Sequence, residues 1–352
     1  MKQPRPLISR VRVNTNWLSG LSIALAFVWS VGLSHAQSGH LRTQVIELNP
    51  GWNAVYLEVD PPVSSPGVLL DGLPIDVVAT FSDASTGAQY ISNPTVNMLQ
   101  SYGWAVWYAP DRSDAFLSNL YSLPGAKSYL VFSRTNATWT VLGSPALVQV
   151  AWQPNAYTLA GFPLLKGSEP TFAQFFRGSP AHKHNRIYRL VNGLWRQVVN
   201  PAAETMKAGE AYWIFSQGRS RYNGPLDVTT GTRFGVVLDA VSGSQITFRN
   251  RTDHPISYTV DHVALPGQPI PLSTPIPSVE TTTGNTGTTY LHYEAGSFTQ
   301  TFPPLAGGKA IRWPVVLRAY DAGTGAMHSL LKITSDLGTV TYLPVTASRG
   351  DD

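Results

Sequence analysis

Two stretches of the chain, about a hundred residues apart, carry the same signals in the same order, and that repeat limits the fold most. The first opens Leu48-Asn49-Pro50-Gly51-Trp52-Asn53-Ala54-Val55-Tyr56-Leu57, the second Trp152-Gln153-Pro154-Asn155-Ala156-Tyr157-Thr158-Leu159. Asn-Ala recurs at positions 53 and 155, and in both copies a Leu lies four residues after the Asn. Ser65-Pro66 and Ser168-Glu169-Pro170 then read as starts of short helices, with Ser as cap and Pro in the first turn. The copies close with Tyr129-Leu130-Val131-Phe132-Ser133 and Tyr212-Trp213-Ile214-Phe215-Ser216. Neither closing run alternates polar with apolar residues, as expected of strands covered on both faces. Each unit therefore reads as strand, short helix, turn-rich middle and closing strand. Boundaries fall at 37–150 and 151–228, and a polar insertion near 82–99 lengthens the first copy.

These motifs resemble a module of secreted bacterial proteins of unknown function. That module opens G-W-N-x-x-x-L-P, has a W-x-Y…G-x-W middle and closes with P-G-x-G-Y-W-I. Gly51-Trp52-Asn53 fits the opening, Asn155 with Gly161-Phe162-Pro163 fits it loosely, and Asn192-Gly193-Leu194-Trp195 fits the middle. Lys207-Ala208-Gly209-Glu210-Ala211-Tyr212-Trp213-Ile214 fits the closing strand, with Ala211 at a position where Gly is usual. Pro124-Gly125-Ala126-Lys127-Ser128-Tyr129 departs further, by one extra residue and a missing second Gly. Over residues 45–228 the resemblance implies small β-rich modules and an exported location. It carries no catalytic residues across.

Residues 229–352 have a different texture. Thr- and Gly-rich turns separate apolar runs at 234–238, 244–248, 256–260, 290–293, 310–316, 330–333 and 339–343. Seven short strands of this kind predict an Ig-like β-sandwich. Residues 265–289, with five prolines followed by a Thr/Gly run, read as a long loop. The predicted fold class is mainly β: two tandem β-rich modules with short helices, then the sandwich.

Residues 1–36 hold Lys2, Arg5, Arg10 and Arg12 with no acid, then an apolar run over 17–33 and Ser34-His35-Ala36. That pattern predicts a signal peptide cleaved after Ala36, so the expected location is the periplasm, cell surface or medium. No transmembrane segment is expected after cleavage. Without the leader the 25 basic residues fall to 21, matching 21 acids, so the basic footprint of a nucleic-acid binder is absent and no such partner is expected. Charge is uneven nonetheless: −4 over 37–150, +5 over 151–228 and −1 over 229–352. With no cysteine, disulfides, zinc–thiolate sites, iron–sulfur clusters and a Cys nucleophile are excluded.

Catalytic signatures are missing. There is no G-x-S-x-G, H-E-x-x-H, Walker loop, EF-hand loop or G-x-G-x-x-G. His182-Lys183-His184 is a close histidine pair, but Lys183 and Arg186 beside it oppose a divalent ion. Asp253-His254 and Asp261-His262 are adjacent pairs whose side chains point to opposite faces of a strand. Glu58 and Asp60 precede a prolyl turn and read as surface groups. No metal and no cofactor are expected. Arg349-Gly350-Asp351 spells an attachment tripeptide in a tail and is read as coincidence.

Aromatic residues are the better candidates. Trp213 and Trp52 sit in strand-like runs and are expected in the core. Trp104, Trp107, Trp195 and Tyr188 lie in the turn-rich middles, where exposed rings would stack on a ligand. The leading expectation is an exported, non-enzymatic structural or adhesion protein with an extracellular protein or glycan partner. The alternatives are a carbohydrate-binding protein and a hydrolase with an unrecognised carboxylate site.

Overall fold

The computed structural model describes residues 40–81, 103–183, 186–240, 242–263, 270–279, 286–292 and 298–349. The expected leader and the insertion at 82–99 lie outside the described residues, as do His184, Gly350 and Asp351. The first module contains β1 (Arg42–Leu48), β2 (Gly51–Leu57), β3 (Val59–Asp60), α1 (Pro66–Leu69), β4 (Ile75–Phe81), β5 (Trp104–Tyr108), β6 (Lys127–Ser133) and β7 (Ala137–Pro145). The second contains β8 (Ala156–Gly161), α2 (Phe172–Phe176), β9 (Ile187–Val191), β10 (Leu194–Gln197) and β11 (Ala211–Ser216).

Both modules fold around one topology. The first forms an antiparallel sheet ordered β2-β6-β4-β5, the second one ordered β8-β11-β9-β10. In each, the opening strand pairs with the closing strand, and the middle hairpin adds beyond it. Tyr129 and Tyr212 occupy the same place, opposite Val55 and Ala160. Each hydroxyl bonds the turn just before its own strand: Tyr129 donates to Pro124 O at 2.8 Å, and Tyr212 accepts the Lys207 N–H at 2.7 Å.

The register corrects the sequence alignment of the opening strands. Gly51 faces Ser133 and Ala156 faces Ser216, so Asn53 corresponds to Thr158 and Asn155 to Pro50. The two Asn-Ala pairs are not equivalent. Asn53 Oδ1 accepts from Asn49 N (2.9 Å), while its Nδ2 donates to Asn49 O (2.8 Å) and Gly51 O (3.0 Å). It ties the turn between β1 and β2, where Gly51 has φ +90°. Asn155 instead is itself a turn residue, in the left-handed region at φ +54°. The helices differ in a similar way. Ser65 stands at the first N-cap without a side-chain bond, whereas Thr171, not Ser168, caps α2 in a capping box with Gln174.

Alternation along the closing strands now has two destinations. Tyr129 and Val131 face the first module's own core, which the sheet β1-β7-β3 covers with Ile46, Leu48, Trp139 and Val141. Tyr212 and Ile214 face the second module's core, closed by Phe172, Phe175 and Phe176 of α2 and by Trp152. Leu130, Ala211 and Trp213 point the other way, into a third cluster shared by the two modules. The contacts are reciprocal, β6 meeting β8 as β11 meets β2, the pattern of a two-fold dimer made within one chain.

The rest is a sandwich of two five-stranded sheets. Its strands are β12 (Leu226–Thr230), β13 (Val236–Asp239), β14 (Ser244–Asn250), β15 (Ile256–Val263), β16 (Leu272–Val279), β17 (Thr286–His292), β18 (Thr299–Leu305), β19 (Ala310–Leu317), β20 (Gly325–Ser335) and β21 (Val340–Arg349). The sheet orders are β12-β14-β19-β16-β17 and β13-β21-β20-β15-β18. β12 begins before position 229, so the last residues assigned to the second module belong here. The expected loop at 265–289 also needs correction, because β16 and the start of β17 occupy much of it. Pro275 and Pro277 look like strand breakers, yet β16 pairs with β19 only at Leu272 and Ser273, so beyond these its other edge asks for no N–H donor.

The bodies are seamed together. Leu165 N–H donates to Gly338 O at 2.8 Å, and Val340 N–H donates to Pro163 O at 3.2 Å. A Cβ on Gly338 would overlap the Ser168 carbonyl. On the other side Arg42 lies 4.3 Å above the Tyr342 ring and is ion-paired with Glu58.

Candidate functional site

The aromatic residues singled out in the sequence do converge, but mostly away from solvent. β5 and β10 are equivalent edge strands, with Trp104 opposite Phe81 and Trp195 opposite Leu190. Trp104 and Trp195 therefore hold the same position in the two modules, and are 8% and 7% exposed. Each packs against Trp213, with ring centroids 6.3 Å apart, and Phe81 closes the cluster at 5.5 Å from Trp213. The expected exposure of Trp104 and Trp195 is thus corrected. Their flanking glycines delimit short strands, and the sister module covers the face that one repeat alone would leave open. The indole N–H groups of Trp195 and Trp213 meet no oxygen acceptor among the described residues.

Trp107 lies on the other face of β5, half-buried against the first module's core. Tyr188 is half-buried at the rim of the shared cluster, 5.9 Å from Tyr157. Two further aromatic pairs flank the cluster: Trp52 with Phe132 at 5.3 Å, and Tyr157 with Phe215 at 5.1 Å. By register they are equivalents. Sequence reading passed over Tyr157 and Phe215, although each lies two residues from an inward-facing neighbour, Leu159 or Trp213, and so shares its face. In the sequence Arg186 reads only as a charge that opposes a metal ion at the histidine pair. Its guanidinium stands 3.7 Å from the Phe215 ring.

The titratable candidates have structural partners. Glu58 is bonded by Arg42, and burial pushes its carboxyl up against that pull. Asp60 accepts the Gly125 N–H at 2.9 Å. His182 is 2% exposed, its Nδ1 lies 2.6 Å from Ser179 Oγ, and its ring sits 4.4 Å from Trp152. Burial lowers its pKa to about 4. Asp253 and His254 touch at 2.6 Å in the open, the histidine holding the carboxyl below its usual range. Asp261 accepts from Thr299 Oγ1, while His262 beside it is buried. Among the described residues no three His, Asp or Glu side chains are placed to hold a metal ion, and no helix is long and apolar enough to cross a membrane.

No family model and no curated protein matches the chain. Among solved structures it is similar to a pilin, SafA of Salmonella enterica in complex with the SafB chaperone. Identity there is 14% over 36% of this chain and 55% of that one, with a TM-score of 0.22. Similar too are the periplasmic chaperone SfaE (10%, over 36% and 59% of the two chains, TM-score 0.21) and a PapD-like domain of human CEP192 (7%, over 36% and 87%, TM-score 0.21). Overlaps this slight carry no residue role to this chain.

Proposed function

We propose that the chain is an exported, non-enzymatic structural or surface-interaction protein. One observation carries the reading: a seamed scaffold presents an apolar loop whose large rings are exposed. Between β5 and β6 a short turn at Ala115–Leu117 leaves Phe116 83% exposed, and Tyr121 in the same loop is 77% exposed. The loop is anchored, not loose: Asn119 N–H donates to Val106 O, and Ser64 and Ser122 hydroxyls meet at 2.8 Å. Large rings held outward on a fixed loop suit a protein partner. The carboxylates Glu58 and Asp60, engaged as described, lend no support to the hydrolase alternative.

Mature protein, residues 37–352, should sediment with envelope fractions of the producing cell, and Phe116→Ser with Tyr121→Ser should abolish this. Unchanged sedimentation of the double variant would remove the loop from the reading, and no sedimentation at all would overturn it. Export itself rests on residues 1–36. N-terminal sequencing of exported material should begin at Gln37, whereas Met1 retained in a membrane fraction would mean an anchor.

A further inference from the structure

We propose that the second module carries a binding surface for a carboxylated polysaccharide, at the end of its sheet where β8 and β9 begin and β11 stops. It rests on the reading of the chain as an interaction protein and names a partner class for it. Three half-buried rings, Tyr157, Tyr188 and Phe215, lie there on one face of the sheet. Arg186, exposed, stacks on Phe215, and its carbonyl accepts the Phe215 N–H at 2.9 Å. The turn at Pro180–His182, which leads into Lys183, is held alongside by the Gln217 N–H donating to Ala181 O. Lys183 and Arg219, both exposed, each follow that bond by two residues in the chain.

The internal repeat supplies the control. At the equivalent corner of the first module the cations are paired: Arg134 pairs with Asp76 at 3.3 Å and Asp111 at 3.2 Å, and Arg112 pairs with Asp114 at 2.7 Å. At the second module's corner no carboxylate among the described residues pairs with Lys183, Arg186 or Arg219. The same scaffold position thus sets three aspartates against two arginines in one copy and leaves cations without a carboxylate in the other, with rings beside both.

Rings and free cations together select the ligand chemistry. A sugar ring offers flat C–H faces that stack on Tyr and Phe, and a uronate adds a carboxylate that the planar guanidinium grips with two parallel bonds. A neutral glycan would leave the cations unused. A nucleic acid would want a longer basic track than a chain with 21 basic and 21 acidic residues beyond position 36 provides.

The test is native gel electrophoresis of mature protein through gels containing polygalacturonate, dextran or neither, at low ionic strength. Polygalacturonate should retard migration and dextran should not, with the retardation fading as salt is raised. Arg186→Gln with Arg219→Gln should weaken the apparent affinity about tenfold or more, as expected for losing charge-assisted bonds. Arg196→Gln, an exposed cation on β10, should leave it unchanged. Tyr157→Ala should weaken it without altering the salt dependence. Matching melting curves for the variants exclude unfolding as the cause. Equal losses in the Arg196→Gln protein, or equal retardation by a DNA oligonucleotide, would show unselective charge and overturn the proposal. Absence of retardation while envelope sedimentation persists sinks this surface alone. Loss of sedimentation with retardation intact sinks the exposed-loop reading instead.

Discussion

At the scale of single residues, Trp213 and Trp195 belong to one buried cluster but differ in enclosure. Trp213 is fully covered in a strand with neighbours on both sides, whereas Trp195 is 7% exposed on an edge strand. Trp213→Ala in the mature protein should lower stability by about 3–5 kcal/mol, and Trp195→Ala by an amount near the bottom of that range. Tyr188→Ala, from the half-buried rim, should cost less than either. Thermal melts rank the three, and a neutral Trp195→Ala would contradict its burial. His182 gives a pH signature. Its folded pKa of about 4 lies below the value near 6.5 of an unfolded histidine, so the unfolded chain takes up the proton first. Stability from the neutral buried ring is complete above about pH 6.5 and is lost progressively as pH falls through about 4. Melting temperature should drop over that window, and His182→Gln should flatten the slope. Buried His40, whose pKa is also lowered, leaves a residual slope.

At the scale of elements, the β20–β21 turn decides how the sandwich meets the second module. Gly338 has φ +71°, which L side chains avoid, and its missing Cβ makes room for the Ser168 carbonyl. Gly338→Ala meets both obstacles. We expect a loss of more than about 1–3 kcal/mol and faster limited proteolysis between residues 163 and 168. A variant as protease-resistant as the parent would mean that this seam contributes little. The turn glycine and the strand pairing beside it are legible as a hairpin in sequence. That its outer side receives a foreign carbonyl is not, because the partner lies some 170 residues away.

At the scale of the whole molecule, Arg42 and Glu58 lie where the first module meets the sandwich. Their side chains are 16% and 10% exposed, and the guanidinium also stacks on Tyr342 of β21. Removing one partner strands the other charge, so Arg42→Met should cost about 3–5 kcal/mol. It should also make the protein less stable at neutral than at mildly acidic pH, since an unpaired buried Glu58 carboxyl is easier to keep protonated. With the seams intact, calorimetry of mature protein should show one transition. Arg42→Met should split off the sandwich, and a single unsplit transition would place the coupling elsewhere.

The sequence alone determined the class of fold and the repeat, because strand spacing, turn residues and the matched closing runs are local features read at short range. It also determined that Trp213 is core, since its run has no polar residue to alternate. Three things were decided only in the tertiary structure. The strands in residues 265–289 needed a sheet with an open edge to tolerate their prolines. The register of β8 needed its partner β11, since Asn-Ala alone aligned the copies three residues out. Above all, burial of Trp104 and Trp195 depended on the sister module docking face to face, and the same docking left Tyr157, Phe215 and Arg186 at the rim. A strand's sequence specifies that one face is apolar. What comes to cover that face is set by contacts between residues far apart in the chain.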